Sequence, residues 1–211
     1  MKVILLAAGY GTRLYPLTKD TPKALLKVND VTLLDRILNH LPYDCVLVTN
    51  NKFYNVFNSH STKYDVINDG TMSNEDRLGA VGDIVYTLTT KNIQEDVLIV
   101  NTDNMFGFKL QDFIDFAQQQ DCSVAACKDM ADVNIVKNRF GVVVCNNDKI
   151  IEFQEKPDNP KSTLASVGLY YIKQKDLQHI HECAKMSADN TGDMIKYLVK
   201  NSNVAVWAFT Q

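Results

Sequence analysis

No apolar run in the 211-residue sequence approaches the roughly 20 residues that a membrane-spanning helix needs, so no span is expected. The opening Met1-Lys2-Val3-Ile4-Leu5-Leu6 is too short for a signal peptide and runs into Gly9-Tyr10-Gly11 without a cleavage-type site. It reads as a first strand. An excess of one charge sign is also lacking: 22 Lys and Arg are mixed with 25 Asp and Glu, for a net charge of −3. That balance offers no field to draw in a nucleic-acid backbone or an anionic membrane, so any phosphate chemistry must rest on a local site. Cysteine is sparse and odd in number. Cys45, Cys122, Cys127, Cys145 and Cys183 have no metal-type CxxC spacing and mostly sit in apolar runs, the pattern of buried thiols in a reducing, cytoplasmic protein. The few histidines, His40, His60, His179 and His181, fall in helical or connecting stretches, where they read as surface or helix residues. Repeats, low-complexity tracts and long linkers are absent, which points to one domain over residues 1–211.

What is present is an ordinary folded-domain balance, 45% apolar and 22% charged, with a clear alternation of patterns. Continuous Val/Ile/Leu/Tyr runs at residues 3–7, 45–49, 64–67 and 97–101 have the length and character of strands buried on both faces. Stretches of helical period lie between them, at residues 33–41 after a cap at Thr32, 53–60, 79–89 and 110–117. This predicts an α/β fold with a mostly parallel sheet. After about residue 120 short strands dominate, at residues 123–127, 141–145, 150–154 and 166–172, with a hairpin signal at Asn146-Asn147-Asp148. Helices over 174–185 and 191–200 and a strand over 204–209 complete the reading, with a more antiparallel second half.

The segment Leu6-Ala7-Ala8-Gly9-Tyr10-Gly11-Thr12-Arg13 follows the first strand. Glycines there permit positive φ and remove side chains, so backbone N–H groups can approach phosphate oxygens. A tight strand-to-helix turn is the competing reading of the same residues. Two familiar phosphate motifs fail on spacing: Leu14 stands where a dinucleotide fingerprint needs its third glycine, and no GxxxxGK[ST] occurs. Arg13 and, in Thr21-Pro22-Lys23-Ala24-Leu25, Lys23 add a planar fork and a compact cation beside the loop. Singly, each would read as a surface charge.

The run Leu6-Ala-Ala-Gly-Tyr-Gly-Thr-Arg-Leu-Tyr-Pro-Leu-Thr18, with Pro22-Lys23-Ala24-Leu25, resembles the signature of the sugar-1-phosphate nucleotidyltransferases, or nucleotide-sugar pyrophosphorylases. Leu98-Ile-Val-Asn-Thr-Asp103-Asn104, Arg139-Phe-Gly141-Val-Val, Ile151-Glu-Phe-Gln-Glu155-Lys156-Pro157 and Ser166-Val-Gly168-Leu-Tyr-Tyr171 follow in the family's order, so the resemblance covers essentially the whole chain. It implies a Rossmann-like mixed, mostly parallel sheet with flanking helices, of the nucleotide-diphospho-sugar transferase or GT-A-like kind. Residues 1–120 would form a nucleotide-binding half and residues 121–211 a sugar-phosphate-binding half. It also implies the partners, a nucleoside triphosphate and a phosphorylated small-molecule acceptor, and the cofactor, Mg²⁺. The oligomeric state stays open, a homo-oligomer included.

In that family a sugar 1-phosphate attacks the α-phosphorus of the triphosphate, and a phosphate with a second pKa near 6 needs no side chain to deprotonate it. By resemblance, Leu6, Ala7, Ala8, Gly9, Gly11 and Thr12 hold the nucleotide, Arg13 the departing β- and γ-phosphates, and Lys23 the α-phosphate. Asp103, just beyond a parallel strand, is the candidate Mg²⁺ ligand, its other reading being an Asx-turn. Asn101 and Thr102 stand where the family more usually has a small residue and glycine. Asn74 and Gly79 match the family's amide and glycine that contact a pyrimidine base, and equally read as a loop polar residue and a helix start. Gly141, Glu155, Lys156 and Val167, with Gly168, correspond to the sugar-phosphate pocket.

Family members usually carry a second metal-binding aspartate in a Trp-x-Asp-x-Gly-type turn after the last strand, and the sequence ends at Gln211 before such a turn. Asp189 and Asp193 precede the last helix and do not replace it; Asp193 reads as a first-turn acid. Mg²⁺ is then expected to lean on triphosphate oxygens and water, with turnover reduced more than binding. Two other readings stay open. One is a cytidylyltransferase for a small phosphorylated alcohol such as phosphocholine, for which Tyr170, Tyr171 and Phe153 could supply an aromatic cage. The other is a non-catalytic nucleotide-binding regulatory module.

Overall fold

The computed structural model describes residues 1–41, 44–187 and 189–210. In chain order, β1 (Lys2–Leu6) leads through the glycine loop and two 3-10 turns to a small hairpin, β2 (Lys27–Val28) and β3 (Val31–Thr32). Then come α1 (Leu33–Leu38), β4 (Cys45–Thr49), α2 (Tyr54–His60), β5 (Tyr64–Asn68), α3 (Gly79–Thr90), β6 (Val97–Asn101) and α4 (Leu110–Gln118). The second half holds β7 (Ser123–Asp129), a one-turn α5 (Val133–Val136), β8 (Gly141–Asn146), β9 (Lys149–Glu155), β10 (Leu164–Ile172), α6 (Leu177–Met186), α7 (Thr191–Asn201) and β11 (Val204–Phe209).

One nine-stranded sheet runs in the order β5-β4-β1-β6-β10-β7-β11-β9-β8. The strands β5, β4, β1 and β6 are parallel, β10 lies antiparallel between β6 and β7, β11 pairs parallel with β7, and β8 and β9 form an antiparallel hairpin at the far edge. The fold is therefore a mixed α/β sheet with flanking helices, parallel through its first half and more antiparallel in its second, as the sequence pattern predicts. The continuous apolar strands follow from cover on both sides. Ile4, Val97 and Ile99 pack with α3, α6 and α7, whereas Val3, Leu5, Leu98 and Val100 pack with α1, α2 and α4. Among the described residues no helix is long and apolar enough to cross a membrane.

Several boundaries differ from the sequence expectation for local reasons. The first helix is shorter than 33–41, because Leu41 N reaches only Leu38 O in a tightened i→i+3 turn. Its start is as expected, the Thr32 side chain accepting from Asp35 N at 3.0 Å. Residues 174–176 form a 3-10 turn before α6, where buried Asp176 accepts from the hydroxyls of Ser123 and Ser202 at 2.5 and 2.7 Å. The hairpin β2–β3 turns through Asn29 and Asp30, both at positive φ, which Asn and Asp tolerate. The Asn146-Asn147-Asp148 signal is realised as the β8–β9 turn, with Asn147 at φ 52°. Asp193 lies in the first turn of α7, below an Asn190 cap.

From β1 the chain passes to β4 and β5 on one side, then crosses to β6 on the other. The order reverses at β1 and β6, and open α/β sheets bind ligands in the crevice beyond the carboxyl ends of such a strand pair.

Candidate active site

The glycine loop begins at that crevice and is fixed by its neighbours. Ala7 N donates to Val48 O at 3.0 Å, Asn50 Nδ2 donates to Ala8 O at 2.7 Å, and Thr102 Oγ1 donates to Leu6 O at 2.6 Å. The Thr102 hydroxyl therefore stitches the end of β6 to the end of β1. Gly11 sits at φ +66°, with the Thr18 hydroxyl on its carbonyl at 2.6 Å, and a Cβ there would stand 3.0 Å from Thr18 Cβ. At Gly9 an added Cβ would meet no atom of the described residues within 4 Å, so that face of the loop is open to an approaching ligand. Thr12 and Arg13 open a 3-10 turn, Arg13 exposed.

Lys23 begins a second 3-10 turn, directed by Pro22, and its Nζ donates to Asp103 Oδ2 at 2.7 Å. Both side chains are partly open, 39% and 43% exposed. The structure thus brings together the lysine that the resemblance places at the α-phosphate and the aspartate it gives as the candidate Mg²⁺ ligand. Asp103 is a hard oxygen donor at a carboxyl strand end, which suits Mg²⁺ when phosphate oxygens and water complete its coordination. Among the described residues, no group of three or more His, Cys, Asp or Glu converges as a ready-made metal cage.

Asn74 lies in the loop 70–78 that joins β5 to α3. Asp76 accepts from Met72 N and Ser73 N, at 3.0 and 2.7 Å to its nearer oxygens, and these donors hold its carboxyl below the usual range. Arg77 Nη1 donates to Asn74 O at 2.8 Å, while Nη2 reaches Asp189 Oδ1 at 3.0 Å, tying the loop to the segment before α7. Gly79, at φ +77°, starts α3 with a backbone that side-chain-bearing residues rarely adopt. At the root of the loop, the Thr71 and Tyr10 hydroxyl oxygens lie 3.1 Å apart.

On the other flank, Asn104 Nδ2 donates to Val167 O at 2.7 Å, joining the Asp103 turn to β10. Gly168 follows at φ +68° in an irregularity of β10, where a Cβ would stand 2.5 Å from Asn101 Nδ2. Gly141 pairs with Glu155 across β8 and β9, and a Cβ at Gly141 would be driven into the Phe153 ring. Glu155 Oε2 lies 2.6 Å from where a Cβ on Gly192 would be. Lys156, at φ +42°, turns its Nζ to 3.6 Å from Glu155 Oε1. The Tyr170 hydroxyl joins β10 to the start of α7, 2.9 Å from Ser166 Oγ and 3.3 Å from Thr191 Oγ1.

Sequence reasoning passed over Thr102, Arg77 and Asp189 as site builders, since a hydroxyl that reaches a carbonyl 96 residues away leaves no local signal. Tyr170, Tyr171 and Phe153 are 2%, 2% and 5% exposed, packed in the core rather than open as a cage for a quaternary ammonium. A depression of about 320 Å³ lined by Asp96, Lys173 and Gln174 lies at the opposite, amino end of β6, away from these residues.

The sequence matches the family description Nucleotidyl transferase over residues 2–211. It is 32% identical, over 97% of its length, to the bifunctional protein GlmU of Methanococcus aeolicus, of which the match covers 48%. It is 27% identical to the UTP–glucose-1-phosphate uridylyltransferase AglF of Haloferax volcanii, covering 92% of this chain and 79% of that protein. The chain thus spans about half the length of the bifunctional relatives it matches. The solved structure of a UDP-glucose pyrophosphorylase complexed with UDP-glucose superposes with a TM-score of 0.80 over 99% of this chain and 90% of that one, at 19% identity. At that identity the likeness establishes the fold.

Proposed function

The chain belongs to the nucleotidyl transferase family, and from that premise we propose that it transfers a nucleoside monophosphate from a triphosphate to a sugar 1-phosphate, releasing pyrophosphate. The observation that carries the reading is the 2.7 Å pairing of Lys23 with Asp103 at the mouth of the crevice between β1 and β6. It gathers, beside an open glycine loop, the groups that phosphate chemistry requires. In the reaction an oxygen of the sugar phosphate forms a bond to the α-phosphorus. The bond from that phosphorus to the bridging oxygen breaks, and its electron pair leaves on pyrophosphate.

No proton need be removed, so this chain supplies positioning and neutralisation. Backbone N–H groups of the glycine loop hold the triphosphate, Arg13 carries the departing β- and γ-phosphates, and Lys23 neutralises charge as it builds on the α-phosphate. Asn74 and Gly79 contact the base, while Gly141, Glu155, Lys156 and Val167 hold the sugar phosphate. Asp103 would hold Mg²⁺, which when bound draws negative charge off the phosphate oxygens.

Pyrophosphate release, measured with Mg²⁺ across UTP, dTTP, CTP and ATP against glucose 1-phosphate and other phosphorylated acceptors, tests the reading. Release with at least one pair is expected. Nucleotide binding without release in every combination would overturn it in favour of a regulatory module.

A further inference from the structure

A carboxyl group interrupts the apolar stripe of α3. Asp83 lies between Val81 and Ile84, is 7% exposed, and its Oδ1 meets no hydrogen-bond donor among the described residues. Its carboxyl is hydrogen-bonded to that of Asp69, the residue after β5, itself 8% exposed. Two carboxylates cannot bond to each other unless one carries a proton. Burial first, and then the Asp69 charge, push Asp83 up to about 8, so Asp83 holds that proton near neutrality.

Asp69 is also an acceptor for the loop 70–78. Its Oδ1 takes Thr71 N at 2.7 Å and Thr71 Oγ1 at 2.8 Å. With its proton given to Asp69, the Thr71 hydroxyl can only accept from Tyr10 OH, 3.1 Å away. Tyr10 stands between the two glycines of the loop after β1. A directed chain therefore runs from α3 through Asp69 and Thr71 to the glycine loop, and Thr71 is where the loop 70–78 departs.

We propose that Asp83 is a positioning residue: by donating its carboxyl proton to Asp69, it sets the spacing between the loop 70–78 and the glycine loop, and so the fit of the nucleotide between them. What those loops hold rests on the nucleotidyl-transfer reading above; that the proton sets their spacing does not. Every element packed on α3 fits a single proton bridge. Asp69 and Tyr10 are the ionisable groups facing Asp83, and Asp76 adds to the field at the Tyr10 phenol. The strands β1 and β4 bring the apolar Ile4, Val46 and Val48. The helices α6 and α7 bring Ile180, Met194 and Cys183, whose thiol is pushed up to about 11 and stays neutral. Asp189 is held by Arg77. When Asp83 ionises, the chain loses its first donor.

The test compares the parent with Asp83→Asn, which keeps a donor but cannot ionise, and with Asp83→Ala. Two readouts are taken from roughly pH 6 to 10: the KM for the triphosphate against kcat, and the opening of residues 7–12 and 70–78, taken as amide hydrogen exchange divided by its intrinsic base-catalysed rate at each pH. For the parent, KM should rise about fivefold or more across the alkaline limb while kcat changes less than about twofold, and the opening of residues 70–78 should increase over the same range. In Asp83→Asn both should be flat, and in Asp83→Ala both should be raised throughout. An alkaline limb in Asp83→Asn equal to the parent's, or a loop opening in the parent that ignores pH once intrinsic exchange is divided out, would overturn the proposal. Should Asp83→Ala not fold, the parent and the asparagine variant decide alone. A parent that releases no pyrophosphate removes the functional reading only, because exchange still judges the proton bridge.

Discussion

Lys23 and Asp103 are 80 positions apart in the chain and form an ion pair 2.7 Å long where β1 and β6 end. Both partners are substantially exposed, and such pairs are worth about 0 to 1 kcal/mol. The ammonium is thus held in place by a contact weak enough for a phosphate to replace. Lys23→Ala should lower the rate of pyrophosphate release by roughly a hundredfold or more, while denaturant unfolding shifts by less than about 1 kcal/mol. Equal rates for variant and parent would take Lys23 out of the chemistry.

Asp103→Asn keeps the shape of the side chain and removes its charge, which is what a divalent cation requires. Turnover should fall and the Mg²⁺ concentration giving half-maximal rate should rise by at least about tenfold. A magnesium titration that superposes on the parent's would remove the assignment.

Gly141 lies against the Phe153 ring, so Gly141→Ala forces that ring or β8 to move and should cost about 1 to 3 kcal/mol. The displaced ring adjoins Glu155, so KM for the sugar phosphate should rise more than KM for the triphosphate. Urea unfolding and the two KM values check both parts, and a parallel rise of both would count against the split.

Asp83 also predicts how stability depends on pH. An ordinary aspartate carboxyl titrates near 3.8 and that of Asp83 is pushed up to about 8 in the fold, so between those values the folded chain holds a proton that the unfolded chain has released. The contribution is whole below about pH 4, falls as pH rises, and is gone above about pH 8. Asp83→Asn removes that slope. The stability of the variant relative to the parent should rise from acid towards pH 8 by on the order of a few kcal/mol. The comparison must be differential, because Asp35 and Asp96 have carboxyls held below the usual range and push the other way. A difference that stays constant with pH would mean that Asp83 is ionised in the fold.

Much of the framework is legible in the chain because it rests on local pattern. Buried parallel strands show as unbroken apolar runs, and the run from Leu6 to Thr18 marks the loop at the crevice. The hairpin at Lys27–Val28 and Val31–Thr32 was missed because two-residue strands carry no periodicity, although Asn29-Asp30 was a usable turn signal. What composition and spacing cannot show is contact across many residues: Thr102 on Leu6, Arg77 on Asp189, Asn104 on Val167. Asp83 had a signal of its own, a charged residue within the stripe Val81, Ile84, Leu88, whose meaning depends on Asp69 arriving from the loop after β5.

The strand β10 is hydrogen-bonded along both edges, to β6 and to β7, and bends at Gly168 beside Asn101. Through Tyr170 it also leans on the start of α7. A plank clamped along both sides cannot tilt to suit a new guest. Retuning which acceptor is taken would therefore proceed by changing the turns that rise above this floor, and redesign should leave Val167 to Tyr171 untouched.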